Sequence, residues 1–166
     1  MVVLITGAGL IGCHSAKRLL EKGHRVVLYD LFPDHDYIHA IVGEAKGLVA
    51  EGGDMRDLPA LFALVRQYEI DTVVHTAGLI GKKVSEHPYT GFTVNVQGSM
   101  HVAEVVRVMK VKRLVFMSSF GAYNWDVSAD KPVTEDFPLR GSGLYGATKA
   151  ANAHLLGALA DLGGFE

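Results

Sequence analysis

Tyr145 and Lys149 stand four residues apart in the segment Tyr145-Gly146-Ala147-Thr148-Lys149. In a helix, positions i and i+4 share a face, so the phenol and the ammonium point the same way. A tyrosine beside a fixed positive charge can release its proton below its ordinary pKa of about 10. The pair is therefore a candidate acid/base group for neutral pH. Earlier in the chain, Ser118-Ser119 closes an apolar run and offers a hydroxyl. Alone the pair is a weak signal, because these residue types meet at this spacing by chance in many helices. Its meaning depends on what opens the chain.

Val2-Val3-Leu4-Ile5 is a short apolar run suited to a strand buried on both faces. Thr6-Gly7-Ala8-Gly9-Leu10-Ile11-Gly12 follows, then an amphipathic helix to about Lys22, then a second strand at Val26-Val27-Leu28-Tyr29 ended by Asp30. Strand, Gly-x-Gly-x-x-Gly, helix, strand and acid together predict a dinucleotide site, and each part has a physical task. Gly7 permits the tight turn. Gly9 removes a side chain so that the backbone can approach a pyrophosphate, and Gly12 lets the helix pack close. The helix N-terminus presents free N–H groups and partial positive charge to phosphates. Asp30 can accept hydrogen bonds from the adenosine ribose, and its carboxylate repels a 2′-phosphate. Leu31, Phe32 and Pro33 supply no cation to offset that repulsion, which favours NAD over NADP.

The elements that must position these groups alternate along the chain. Further strands are predicted at Leu48 to Glu51, Thr72 to His75 and Lys112 to Met117. Helices are predicted between them: a short one following a polar loop that holds Asp34, His35, Asp36 and His39, one capped by Asp57 and reaching Tyr68, and a long one from Thr93 to Met109. The segment between His75 and Thr93 reads as a loop through Pro88. The helix carrying Tyr145 and Lys149 runs to about Leu162 and stops at Gly163-Gly164. Alternating strands and helices with right-handed crossovers give an α/β fold of Rossmann type. It is a doubly wound parallel sheet in the order 3-2-1-4-5, within three αβα layers. Gly7 to Gly12, Asp30, Asp54, Thr76 to Ile80 and Ser119 then all fall at the carboxyl ends of strands, where such sheets bind ligands.

A chain of 166 residues predicts a single domain spanning 1–166, and its 49% hydrophobic content is ample for a core. A net charge of −2 gives no reason to expect a nucleic acid or an anionic membrane as partner. No apolar run reaches membrane-spanning length, and no signal-type segment precedes the first strand. With the single Cys13, this points to a reducing cytoplasm. Cys13 and His75 read as packing residues, Lys82-Lys83 as a solvated loop, and Tyr123 and Trp125 as packing near the site entrance. No Cys/His spacing suggests a metal site.

The chain resembles the extended short-chain dehydrogenase/reductase family, the NAD-dependent sugar epimerases and dehydratases. The resemblance rests on Thr6-Gly7 to Gly12, Gly53-Asp54-Met55-Arg56-Asp57, His75-Thr76-Ala77-Gly78 and Ser85 with Pro88. It continues through Asn95-Val96-Gln97-Gly98, Ser118-Ser119 with Tyr123, and the Tyr145 to Lys149 segment. The resemblance implies that Leu10 and Ile11 lie over the pyrophosphate and that Asp54 and Met55 flank the adenine. It implies that Thr76, Ala77 and Gly78 through Ile80 line the cofactor cleft, with Asn95 supporting the helix beside it. Ser119, Tyr145 and Lys149 would be the catalytic group. Tyr145 would take the proton of a sugar or nucleotide-sugar hydroxyl, Ser119 would hold the same oxygen, and Lys149 would hold the nicotinamide ribose. A homodimer through the two long helices is implied as well.

Two departures stand out. The family's first loop is usually Thr-Gly-x-x-Gly-x-x-Gly, and here it is one residue shorter. Family members are also about twice as long, with a further strand and a substrate domain that this chain lacks. Strand 5 is therefore expected to be an exposed edge, and the chain to be a fragment or to take cover from another chain. Phe120-Gly121 replaces the Asp-Glu pair of the dehydratases, which argues against dehydration. The leading expectation is an NAD-dependent oxidoreductase or epimerase acting on a sugar hydroxyl. The alternative is a truncated or regulatory module that binds NAD without catalysis.

Overall fold

The structure, a computed structural model, describes residues 1–123 and 132–166. Trp125 lies outside the described residues. Five parallel strands, β1 (Val2–Thr6), β2 (Arg25–Asp30), β3 (Leu48–Gly52), β4 (Thr72–His75) and β5 (Arg113–Phe116), form one sheet in the order β3-β2-β1-β4-β5. This is the expected topology. Helix α1 (Leu10–Glu21) joins β1 to β2, α2 (His35–Val42) joins β2 to β3, and α3 (Leu58–Tyr68) joins β3 to β4. Between β4 and β5 come α4 (Lys82–Glu86), α5 (Pro88–Phe92), a π-helical segment Thr93–Gly98 and α6 (Ser99–Val108). After β5 a 3₁₀ turn, Phe120–Ala122, precedes the long α7 (Gly143–Gly163).

Side chains alternate between faces along each strand. Leu4, Val27 and Val73 meet Leu61 and Val65 of α3 and Val102 and Val106 of α6 in one core. Val3, Ile5, Val26 and Leu28 meet Cys13 and Ala16 of α1 and Ile38 of α2 in the other. Burial on both faces is why these strands read as unbroken apolar runs. Each fully buried Val, Leu or Ile contributes about 1.5–3 kcal/mol. The central strands are therefore rigid supports for whatever sits at their ends. Two helix ends follow the sequence: Asp57 accepts from Ala60 N (3.0 Å), and α7 ends at Gly164 with φ +66°. The expected polar loop differs: His35, Asp36 and His39 lie inside α2, because Asp34 caps it by accepting from Tyr37 N (2.9 Å).

The structure departs from expectation between β4 and β5. The supposed loop through Pro88 winds into α4 and α5, with exposed Lys82 and Lys83 opening α4. Pro88 takes the first position of α5, where its missing N–H costs nothing. The supposed single helix from Thr93 to Met109 begins as a π turn, which the apolar spacing does not distinguish from α. The edge of β5 is also less bare than expected. Leu114 N donates to the Glu166 carbonyl (2.7 Å) and Glu166 N donates to the Lys112 carbonyl (3.1 Å), the pattern of a parallel rung. Arg113 pairs with the Glu166 carboxylate alongside, while Val115 remains 43% exposed. Among the described residues no helix is long and apolar enough to cross a membrane.

Candidate functional site

The glycine loop is fixed from beneath. Gly7 has φ +91°, a left-handed conformation that a side chain would strain. The Thr76 hydroxyl donates to the carbonyls of Thr6 (2.7 Å) and Gly7 (3.2 Å), stapling the loop to the end of β4. A Cβ on Gly12 would lie 1.8 Å from the Gly7 carbonyl oxygen, so Gly12 brings α1 against the loop itself. Gly9 differs: a Cβ there meets nothing within 4 Å. Gly9 is the residue before α1 and makes no side-chain cap, so the first N–H groups of α1 and the space over Gly9 face the cleft. Leu10 and Ile11 flank that space, 63% and 48% exposed. At the end of β2 the Asp30 carboxylate is held by Ala8 N (2.8 Å) and Phe32 N (3.1 Å). Free helix N–H groups, open room and an anchored carboxylate fit a dinucleotide's pyrophosphate and ribose. The loop keeps this form although it is one residue short.

The remaining predicted cofactor residues divide. Asp54 lines an open cavity of about 520 Å³ with Arg56, Asp57, Tyr89, Thr93 and Gln97. The Arg56 guanidinium beside it (Nε to Oδ1, 2.9 Å) holds its carboxyl below the usual carboxylate range. Met55 turns inward. Its side chain is 6% exposed and packs so close to Gly98 that a Cβ there would lie 2.6 Å from the Met55 Cε. Asn95 is also buried, and its carboxamide clamps Leu79, accepting from its N (2.7 Å) and donating to its O (2.9 Å). It thereby fixes the loop carrying Ala77, Gly78 and Ile80, of which Gly78 and Ile80 are exposed.

The candidate catalytic residues gather at the end of β5. Lys149, 5% exposed, donates from Nζ to the Met117 carbonyl (2.8 Å) and lies 4.6 Å from the Phe116 ring centre. The same Nζ is 6.0 Å from the Tyr145 ring centre, as their helical spacing requires. The Ser119 hydroxyl accepts from Gly121 N (3.2 Å) at the start of the 3₁₀ turn. Three glycines bring that turn onto α7. A Cβ on Gly146 would lie 2.0 Å from the Gly121 carbonyl, and one on Gly141 2.6 Å from the Ala147 Cα. Backbone bonds from Ser142 N to Gly121 O (2.7 Å) and from Gly141 N to Ala122 O (2.8 Å) stitch the contact. Tyr123 packs edge-on against Phe137 close by.

Sequence reasoning missed these glycines, and it missed a buried polar network behind Lys149. His75 is fully buried between Thr6 and Ser99. The Ser99 hydroxyl donates to the Asn95 carbonyl (2.6 Å), so it accepts from His75 Nε2 (2.8 Å). His75 Nδ1 in turn accepts from the Thr6 hydroxyl (2.5 Å). Both ring positions are satisfied in the neutral form. Burial, and then the Lys149 charge, push the His75 pKa down to about 3. Among the described residues no cluster of three His, Cys, Asp or Glu could hold a metal ion.

Burial lowers the Lys149 pKa from 10.5 to about 8. Below pH 8 the folded and unfolded chains both carry the proton, and the buried charge opposes folding in full. Between pH 8 and 10.5 the folded chain releases its proton first, so the penalty is relieved as pH rises. Relative to a Lys149→Met variant, the parent is expected to gain up to about 3 kcal/mol of stability across that window. Urea unfolding of both chains from pH 7 to 10.5 checks this. A constant difference between them would show that the ammonium is solvated after all.

Comparisons with known proteins agree with this geometry. The profile of the NAD dependent epimerase/dehydratase family matches residues 3–166. The chain is 35% identical over 158 residues to UDP-glucose 4-epimerase 2 of Arabidopsis thaliana, an alignment covering 89% of this chain and 44% of that protein. The crystal structure of Thermus thermophilus UDP-glucose 4-epimerase in complex with NAD superposes with a TM-score of 0.89 at 32% identity. It covers all of this chain and 53% of that one. UDP-glucose-4-epimerase from Stenotrophomonas maltophila, with bound NAD and formylated UDP-arabinopyranose, gives 0.88 at 34% identity, covering 98% and 49%. The chain thus spans about half the length of the relatives it matches. A glycine loop pinned on β4, an acid closing β2 and a Tyr–Lys pair at the end of β5 are joined by a profile match over nearly every residue, and the chain belongs to the NAD dependent epimerase/dehydratase family.

Proposed function

We propose that this chain binds NAD across the carboxyl ends of β1 and β4 and carries the proton-transfer group of a UDP-sugar 4-epimerase. The observation that supports it best is the joint placement of the open space over Gly9 and of Lys149, held at the end of β5 beside Tyr145. The N–H groups of α1 would hold the pyrophosphate, Asp30 the adenosine ribose and Asp54 the adenine. Lys149 has donors left beyond its Met117 bond and would hold the nicotinamide ribose. When bound, NAD supplies the acceptor and donor of hydride at the sugar carbon. Tyr145 takes the proton of the sugar hydroxyl and returns it, and Ser119 orients that oxygen. Lys149 places positive charge where the phenolate forms. The relatives act on UDP-glucose by name, and Phe120-Gly121 in place of an Asp-Glu pair after Ser119 argues against dehydration.

We place the protein in the cytoplasm, where Cys13 stays reduced. We assign its dimer to the packed pair α6 and α7, whose Val108, Leu155 and Leu162 are exposed. The test is calorimetric titration with NAD, light scattering for the mass, and incubation with NAD and UDP-glucose. The reaction is redox-neutral overall, so turnover is read by NMR as conversion of UDP-glucose to its 4-epimer. Micromolar NAD affinity, twice the chain mass and appearance of the epimer are expected. NAD binding without epimer would instead favour a non-catalytic NAD-binding module. Failure to bind NAD removes both.

A further inference from the structure

Asn152 belongs to no part of the site described so far, yet it is fully buried on the face of α7 that also carries Lys149. Its Nδ2 donates to the Asn95 carbonyl (2.6 Å) and to the Ser99 hydroxyl (3.2 Å). The Asn95 carbonyl lies inside the π turn, the kind of widened winding into which a side chain can insert. The Asn152 Oδ1 is buried and has no hydrogen-bond partner among the described residues. A leucine would fill this place without leaving a buried acceptor unsatisfied. Stability therefore does not account for the asparagine.

We propose that Asn152 is a positioning residue for the Tyr145–Lys149 pair: its carboxamide, inserted into the π turn at Asn95, sets the rotation of α7 about its own axis. The rest of the inner face explains the need. Gly146 and Ala150 are small, Thr148 reaches Asn95 Nδ2 only at 3.4 Å, and Leu156 is the one large apolar side chain among the buried residues of the helix, so few knobs fix that rotation. Asn152 stands one turn beyond Lys149, so a rotation at one is a rotation at the other. Such a rotation would move Nζ away from both the Met117 carbonyl and the Phe116 ring. The tie is also double-ended, because Ser99 passes it through His75 to Thr6 at the mouth of the glycine loop. The helix bearing the proton-transfer group and the loop facing the pyrophosphate thus share one hydrogen-bonded strut.

The inference rests on the proposed roles of Tyr145 and Lys149, but its test needs no turnover, so the two can fail separately. The full 166-residue chain is labelled at lysine, and the Lys149 Cε signal is followed by NMR through a pH titration. Neutral His75 and Tyr145 are the titratable groups beside it. In Asn152→Leu the fold and thermal midpoint are expected to be kept. The Lys149 signal should lose its Phe116 ring-current shift, and its titration should move up by at least half a pH unit. Asn152→Ala removes the same bonds without added volume and carries the test if the leucine does not fit. Leu156→Ala loosens the same buried face by packing alone, and it should lower the thermal midpoint while leaving the Lys149 signal in place. An unmoved Lys149 in the folded Asn152 variants overturns the proposal, and so does an equal displacement in Leu156→Ala.

Discussion

Tyr145→Phe is expected to bind NAD as the parent does and to epimerise UDP-glucose about 10²- to 10⁴-fold more slowly, the usual contribution of a positioned acid/base group. The other polar groups at the end of β5 are each otherwise engaged. His75 lies nearby but is sealed between Thr6 and Ser99 and held neutral, so it cannot reach a substrate. Lys149 is 5% exposed and donates one Nζ proton to the Met117 carbonyl. Ser119 uses its oxygen to accept from Gly121 N. Tyr145 is the half-exposed titratable group of this set, and phenylalanine keeps its ring while deleting its proton. Calorimetry gives the NAD affinity, and NMR of the sugar nucleotide gives the rate. A variant within about tenfold of the parent would place the proton on another group and end the assignment.

The second large effect separates two glycines to which the sequence gives different tasks. Gly12→Ala forces a methyl to 1.8 Å from the Gly7 carbonyl oxygen. Gly7 cannot retreat, because Thr76 holds its carbonyl and Ala77 N would meet any Cβ on it at 2.8 Å. Helix α1 must therefore move away from the loop. We expect destabilisation of about 3 kcal/mol, comparable to an overpacked core, and at least a hundredfold loss of NAD affinity. Gly9→Ala has free space around the new methyl, so the thermal midpoint should stay. NAD affinity should still fall, because the methyl occupies the pyrophosphate's approach. Thermal melts and NAD titrations of the pair check both. Undiminished affinity in Gly9→Ala would show that the pyrophosphate lies elsewhere.

The parts legible in the sequence were those written in side-chain periodicity. Val2 to Ile5 and Val26 to Tyr29 announced strands covered on both faces, and the Gly7 to Gly12 spacing with Asp30 announced the cofactor end of the sheet. Asp57 and Gly163-Gly164 marked helix ends through their local hydrogen-bonding habits. The π turn at Thr93–Gly98 was hidden because Val102, Val105, Val106 and Met109 set an α-helical spacing, and the residues before them carry no sign of a wider winding. Met55 sits next to a candidate ligand residue, and sequence adjacency does not say which way a side chain turns. Gly121, Gly141 and Gly146 meet backbone to backbone, a contact that leaves no apolar pattern. Asn152 had one readable sign, a polar residue one turn after Lys149 on the same helix face, which becomes meaningful only once that face is known to be buried.

The staple between Thr76 and Gly7 also has a kinetic meaning. Its partners are 69 residues apart, and β1 meets β4 only across that separation, whereas β1 and β2 are near neighbours in the chain. Local pairings form early and cheaply, while distant parallel ones are slow because loop entropy is lost before their contacts form. The first half of the sheet can be in place while the glycine loop still lacks its floor. The glycine loop is thus expected to be among the last features of the chain to take its native shape, as slow to assemble as the most distant strand pairing it depends on.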